Sequence, residues 1–230
     1  MNTIINSPLF GIFLTLAAFE AGVALNKKFK YSILNPLLIG LILIVGFLMI
    51  TGISYDSYKV GGDYVSVMLG PATVVLAVPL YRQLGNLKKH WLPILAGIAV
   101  GSLTSIICVV ATSKLVGLSE TLMLSLVPKS ITIPMGSVVS AQIGGIPSIT
   151  IISIVITGIT GAVTASVVCK FFHIKHKVAQ GIAIGTASHA LGTTRAMEIG
   201  ETQGAMSSLA IGIAGIFTAV VAPLLLQLIG

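Results

Sequence analysis

The chain has 230 residues, 55% of them hydrophobic and only 8% charged, with a net charge of +7 and a mean hydropathy of +1.06. Soluble globular chains carry about 25% charged residues, and a soluble domain of this length has no core that could absorb so much apolar surface. An outer-membrane barrel is excluded as well, because apolar runs of about 20 residues recur in place of short alternating segments.

The fold class expected is an all-α polytopic membrane protein, one transmembrane domain over residues 1–230. The basic residues sit in short loops between apolar runs, which signals topology rather than nucleic-acid binding. Cys108 and Cys169 stand singly in apolar stretches, which argues against a disulfide framework or a zinc site. Met1 to Asn6 has neither a positive n-region nor a small-residue cleavage site, so no cleaved signal peptide is expected.

Residues 4–25 form a first span carrying Glu20, followed at once by Lys27, Lys28 and Lys30. Residues 33–53 form a second, opened by Asn35-Pro36, with proline where its missing N–H does least harm. Tyr55 to Tyr64 reads as a polar loop. Residues 65–81 are apolar but interrupted by Gly70-Pro71 and Pro79. Spans follow at 92–113, 148–169 and 204–229, giving about six in all at about 20 residues each.

Lys27, Lys28, Lys30, Arg82, Lys88, Lys89, Lys170, Lys175 and Lys177 make nine of the 13 basic residues, while the alternate loops hold only Lys59 and Lys114. That asymmetry assigns the set of nine to the cytoplasm of a multi-pass plasma-membrane protein, with the N-terminus outside. Glu120 is then outside and Lys170 inside, so residues 121–147 enter and leave on the outer side as a re-entrant hairpin. Pro128 and Pro134 would break the helix and Gly144-Gly145 would turn the chain back. Non-helical backbone at membrane depth is tolerated where it is buried or lines a cavity. Two short tilted helices without re-entry are the alternative reading. Residues 178–201 are expected to dip from the cytoplasmic side, so that two broken hairpins meet near the midplane, as in many carriers. The Pro71–Pro79 segment faintly echoes Pro128–Pro134, a hint of inverted repeats.

The densest polar cluster runs from Ser188 to Glu201, with His189, Thr193, Thr194, Arg195, Glu198 and Glu201 amid small apolar residues. Charge placed among lipid-facing sequence is costly and marks a pathway or a binding site; the plainer alternative is a surface loop. Lys129, beside Ser130 and Thr132, either binds a carboxylate among unwound carbonyls or snorkels to the interface. Arg195 and Glu198 are three apart and can satisfy each other. The second carboxylate leaves a group able to take a coupling proton, a role also open to His189 and to Glu20 as partner of a buried base. Gly97, Gly101, Gly204, Gly212 and Gly215 permit close helix packing, and a homo-oligomer is left open. No nucleophile–base pair, metal set or phosphate loop can be assembled, so neither an enzyme nor a cofactor is expected.

Leu69-Gly70-Pro71-Ala72-Thr73, Pro79-Leu80-Tyr81-Arg82-Gln83, Pro128 to Pro134, Gly144-Gly145-Ile146-Pro147 and Gly185 to Ala196 together resemble the antiholin-like LrgB/CidB family of Gram-positive bacteria. The likeness continues through Glu198, Gly200, Glu201 and Gly204-Ala205, departing at Thr194, where the family usually has Ala. It implies a plasma-membrane protein that works with a small holin-like partner, LrgA, restrains murein hydrolases and lysis, opposes CidA/CidB and affects the proton gradient. Relatives in the wider family look like carriers of pyruvate or of glycolate and glycerate. Two functions follow as expectations. One is a carrier binding a small carboxylate through Lys129, Ser130, Thr132, His189, Thr193, Thr194 and Arg195, with Glu198, Glu201 or Glu20 coupling protons. The other is a regulatory subunit that transports nothing and acts through protein contacts alone.

Overall fold

The computed structural model describes residues 5–29, 34, 36–68, 71, 81 and 84–229, and every regular element among them is a helix. The chain divides into two compact units, residues 1–76 and 77–230.

The first unit holds α1 (Pro8–Phe29), α2 (Pro36–Thr51) and α3 (Tyr55–Val67). α1 closes on Lys27 and Lys28, cations suited to the negative end of the helix dipole. α2 opens on Pro36 and at 16 residues is shorter than the about 20 that a bilayer core requires. The polar stretch Tyr55 to Tyr64, expected to be a loop, is helical instead. Its helix has a start signal: the Ser54 hydroxyl accepts from the Ser57 N–H at 3.3 Å, and Asp56 lies in the first turn, where a carboxylate is favoured. Gly61 serves packing rather than a turn, since a Cβ there would come within 2.6 Å of Gly11 Cα on α1. Pro71 is helical; the expected break at Pro79 lies outside the described residues.

The second unit begins with α4 (Leu84–Val116), whose 33 residues reach about 50 Å at 1.5 Å per residue. Gly117, at φ +74°, ends it, and the Leu118 N–H closes on the Ser113 carbonyl at 2.9 Å. Two short helices follow, α5 (Glu120–Leu126) and α6 (Ile133–Gln142), each far too short to cross a membrane. They fold back on each other: a Cβ on Gly145 would meet the Ser125 nitrogen at 2.9 Å, and one on Gly136 the Pro128 carbonyl at 3.3 Å. A buried hydroxyl knot pins the base of this hairpin to α7 (Pro147–Phe171). Thr150 Oγ1 donates to Ser140 Oγ at 2.6 Å, while Ser125 Oγ accepts from the Ile146 N–H at 2.7 Å. Gly144, at φ +88°, supplies the left-handed turn into α7 that a side chain would resist.

α8 (Lys177–Ile199) is helical on both sides of His189, whose backbone sits at φ 42°, ψ −140°. The chain reverses there. A Cβ on Gly192 would lie 3.3 Å from the Ile184 carbonyl, an approach impossible along a straight helix, where eight residues rise about 12 Å. Ile184 and Ala196 share one buried cluster. α8 is therefore a second hairpin with limbs 177–188 and 190–199, and α9 (Glu201–Ile229) returns across the unit.

Four helical stretches are long and apolar enough to span a membrane: α1, Trp91–Val116 of α4, α7, and Glu201–Leu228 of α9. In the second unit, the start of α4 packs with the start of α8 around Ile94, Ile98, Val178 and Ile182. Lys170, Lys175 and Lys177 gather at that basic end. The far end is closed by Val109, Val110, Met123, Val127, Ile131 and Val139. The hairpin α5–α6 enters from the far end and α8 from the basic end, so the two broken elements approach each other from opposite sides.

Candidate functional site

The tip of the first hairpin is the non-helical run Val127–Thr132. Pro128 offers no N–H to continue α5, and Pro134 sits in the first turn of α6, where its fixed φ suits a helix start. Between them Lys129 Nζ donates to Ser130 Oγ at 3.1 Å and to Ser105 Oγ at 3.4 Å, and the two hydroxyls are 3.0 Å apart. Ser105 lies near the middle of the Trp91–Val116 stretch, so this tip reaches mid-height of the unit. Lys129 is part-buried and has no carboxylate partner among the described residues. An ammonium drawn out of water without a counter-ion is unfavourable unless hydrogen bonds or an incoming anion compensate it. Ser130 is buried; Thr132 caps α6 through its backbone, with no side-chain cap bond.

The tip of the second hairpin is Ser188-His189, and α7 makes room for it. A Cβ on Gly158 would fall 2.7 Å from His189 Nε2, and one on Gly161 would collide with Ser188. His189 is buried, and its Nε2 lies 2.9 Å from the Ile154 carbonyl, which makes Nε2 the protonated ring nitrogen. Positive φ at a non-glycine residue costs on the order of 1–3 kcal/mol and concentrates at functional sites. Thr193 Oγ1 donates to the His189 carbonyl at 3.0 Å, and its oxygen lies 2.6 Å from Ser207 Oγ. The reversal is thus tied to α9. Lys129 and Ser188 line one cavity, so the two tips are neighbours.

Two cavities meet at Lys129. One, of about 740 Å³, runs along α4 and the inward limb of α8 past Ser105, Ser130 and Cys108. The other, of about 390 Å³, lies against α7 and includes Ser188, Thr157, Thr160 and Thr164. Both fall within the range of small-molecule sites. Both also extend to Ile174 in the loop at the basic end, while Val127 and Ile131 close the far side.

The rest of the sequence-expected cluster lies apart from these cavities. Arg195 donates through Nη1 to Glu198 Oε2 at 2.6 Å and through Nη2 to Ser166 Oγ at 3.2 Å. Neither cavity that Lys129 lines includes Arg195, so no joint clamp of the two cations is assembled in this conformation. Thr194 is exposed and hydrogen-bonds back to the Ala190 carbonyl at 3.4 Å. Glu201 is exposed at the start of α9, and Glu20 is exposed on α1 in the first unit. Ser105, Ser166, Ser207, Gly158 and Gly161 were not anticipated. Their only trace in the sequence is a hydroxyl or a glycine inside an apolar helix, and most such residues merely bond their own preceding turn, as Thr104 and Thr164 do here.

Two helical hairpins with polar tips, packed among membrane-length apolar helices, define the class: a polytopic membrane protein with a polar centre. Residues 15–228 match the LrgB-like family. Over 225 residues the chain is 37% identical to the antiholin-like protein LrgB of Bacillus cereus and to that of Bacillus anthracis, covering 97% of this chain and 98% of each relative. The chain belongs to the LrgB-like family. No solved structure matches it.

Proposed function

We propose that this protein is an antiholin-like carrier of small carboxylates that binds its solute at Lys129. The observation that carries the reading is the Lys129 ammonium, held by two serine hydroxyls without a carboxylate partner among the described residues, where two cavities meet. A carboxylate arriving there would supply the missing charge and accept hydrogen bonds from Ser105, Ser130 and Lys129. Thr132 stands at the same tip as a further donor. His189 offers a neighbouring group able to exchange a proton, and Thr193 fixes its backbone. With the basic set on the cytoplasmic side and the N-terminus outside, as the charge distribution implies, both cavities extend toward the cytoplasmic end and the far-end cluster is the closed gate of an alternating-access cycle.

Arg195, Glu198 and Glu201 form the coupling part of this proposal. Glu198 occupies one edge of the Arg195 guanidinium, so protonation of Glu198 would release that edge for an anion in another state of the cycle. Solute flux coupled to protons would alter the gradient on which the lytic response depends. A small holin-like partner of the LrgA kind, and opposition to CidA/CidB, belong to the same reading, since relatives of this chain are named antiholin-like.

The test is uptake of labelled pyruvate and glycolate into proteoliposomes holding the purified chain, with and without a pH gradient, beside Arg195→Ala. Uptake by the chain alone that is weakened in the variant is the expected result. Uptake only after addition of the LrgA-like partner would make the chain half of a two-component carrier. No uptake under either condition would favour the regulatory subunit that transports nothing.

A further inference from the structure

At the basic end of the second unit lies a third cavity, of about 670 Å³, that the site at Lys129 does not use. Lys170 from the last turn of α7 and His173 and Lys175 from the following loop line it, and no acidic residue among the described residues does. It shares Cys169 and Ile174 with the 390 Å³ cavity that reaches Lys129. Those two side chains are therefore the wall between a basic outer chamber and the inner site. Ser166, which Arg195 engages, lines the outer chamber as well.

His173 adds an independent indication. It sits at φ +55° just past the end of α7, and the Ile174 N–H bonds back to the Cys169 carbonyl at 2.8 Å. That is the left-handed closing position of a helix, where glycine avoids the Cβ penalty and is the usual occupant. A histidine here carries that Cβ penalty, and its side chain lines the chamber. Topology alone would require basic residues near this loop. It would not require them to line a cavity that shares a wall with the one at Lys129.

We propose that Lys170, His173 and Lys175 form an outer capture site for small organic carboxylates, which pass to Lys129 between Cys169 and Ile174. The inference rests on the carrier reading and adds to it a second site and a gate. An exposed basic chamber concentrates anions through its field, an effect that salt weakens. The wall residue Cys169, buried and one of only two cysteines, reports passage directly.

The experiment uses the full chain with Cys108→Ala, reconstituted in liposomes, and compares the labelling rate of Cys169 by an anionic and a cationic methanethiosulfonate. Uptake is measured in parallel. The anionic reagent is expected to react about tenfold faster at low salt, with the preference fading at high salt, and glycolate or pyruvate should slow it. In Lys170→Gln/Lys175→Gln the preference should fall to near unity and the KM for uptake rise about tenfold at unchanged kcat. His173→Gly guards against misfolding: it should match or exceed the parent in thermal stability yet lose part of the anionic preference. Labelling blind to charge, or a Cys169 unreactive to both reagents, overturns the proposal. So does an unchanged KM in the double variant when the parent transports, and in that case the carrier reading stands. Charge-selective labelling without any uptake by the parent overturns the carrier reading and the relay together.

Discussion

Lys129 at the tip of the first hairpin and Arg195 on the return limb of the second each bring a positive charge among apolar helices, but among the described residues only Arg195 has a carboxylate to meet it. Arg195 spends one edge of its guanidinium on Glu198 and another donor on Ser166. The pair is 34% and 59% exposed, so its contribution to stability is that of a surface ion pair, about 0–1 kcal/mol. Lys129 has two neutral serine hydroxyls and an open cavity on either side. The two cations thus differ in electrostatic status: Arg195 is paired within the chain, and Lys129 has neutral partners only among the described residues. An intramembrane charge that faces a cavity without a carboxylate partner marks a functional site before a packing role.

The sharpest way to break this contrast is Lys129→Met. If the ammonium is unsatisfied, removing it should raise the melting temperature in detergent, because a desolvated charge is replaced by an apolar chain of similar length. The same change should weaken carboxylate binding by about 2–5 kcal/mol, roughly 30-fold to several thousand-fold in affinity. A fall in both stability and binding would show that Lys129 is structural. Changes at Arg195 should be milder. Arg195→Lys keeps the charge but not the two divergent donors, and the lost hydrogen bond predicts about a tenfold drop in uptake. Glu198→Gln should flatten the dependence of uptake on a pH gradient. Arg195→Lys equal to wild type, with Glu198→Gln fully coupled, would reduce this pair to a local tie.

The two hairpins were legible to different degrees, for physical reasons. The first was written in Pro128, Pro134 and Gly144, residues whose backbone preferences act locally wherever they occur. Charge asymmetry also forced an even number of crossings between Glu120 and Pro147, the start of α7. The second hairpin turns on His189, which has no intrinsic preference for φ 42°. What holds it there is tertiary: the Ile154 carbonyl, the Thr193–Ser207 contact and the space left by Gly158. Sequence therefore anticipated that residues 178–201 dip but not that the turn falls at His189, and it grouped Lys129 with Arg195 because both are cations. The helix at Tyr55–Val67 was missed because its glycines resemble a turn, whereas Gly61 is there to meet Gly11.

The smallest effect is expected at Thr194, and it separates chemical type from position. Thr194 carries the same hydroxyl as Thr193 one residue earlier, yet Thr193 is buried against Ser207 while Thr194 is exposed and bonded only to its own helix at 3.4 Å. A hydroxyl returned to the preceding turn contributes little to a helix. Thr194→Val should therefore change stability by no more than about 0.5 kcal/mol and leave the uptake rate at the wild-type level. Thr193→Val should cost about 1–3 kcal/mol, because it leaves Ser207 buried without its partner. Unfolding midpoints and initial uptake rates of the two variants, measured side by side, test the distinction. A transport defect confined to Thr194→Val would mean that the return limb turns this face toward the solute in another state, and Arg195 one position on would then rejoin Lys129 as a binding group.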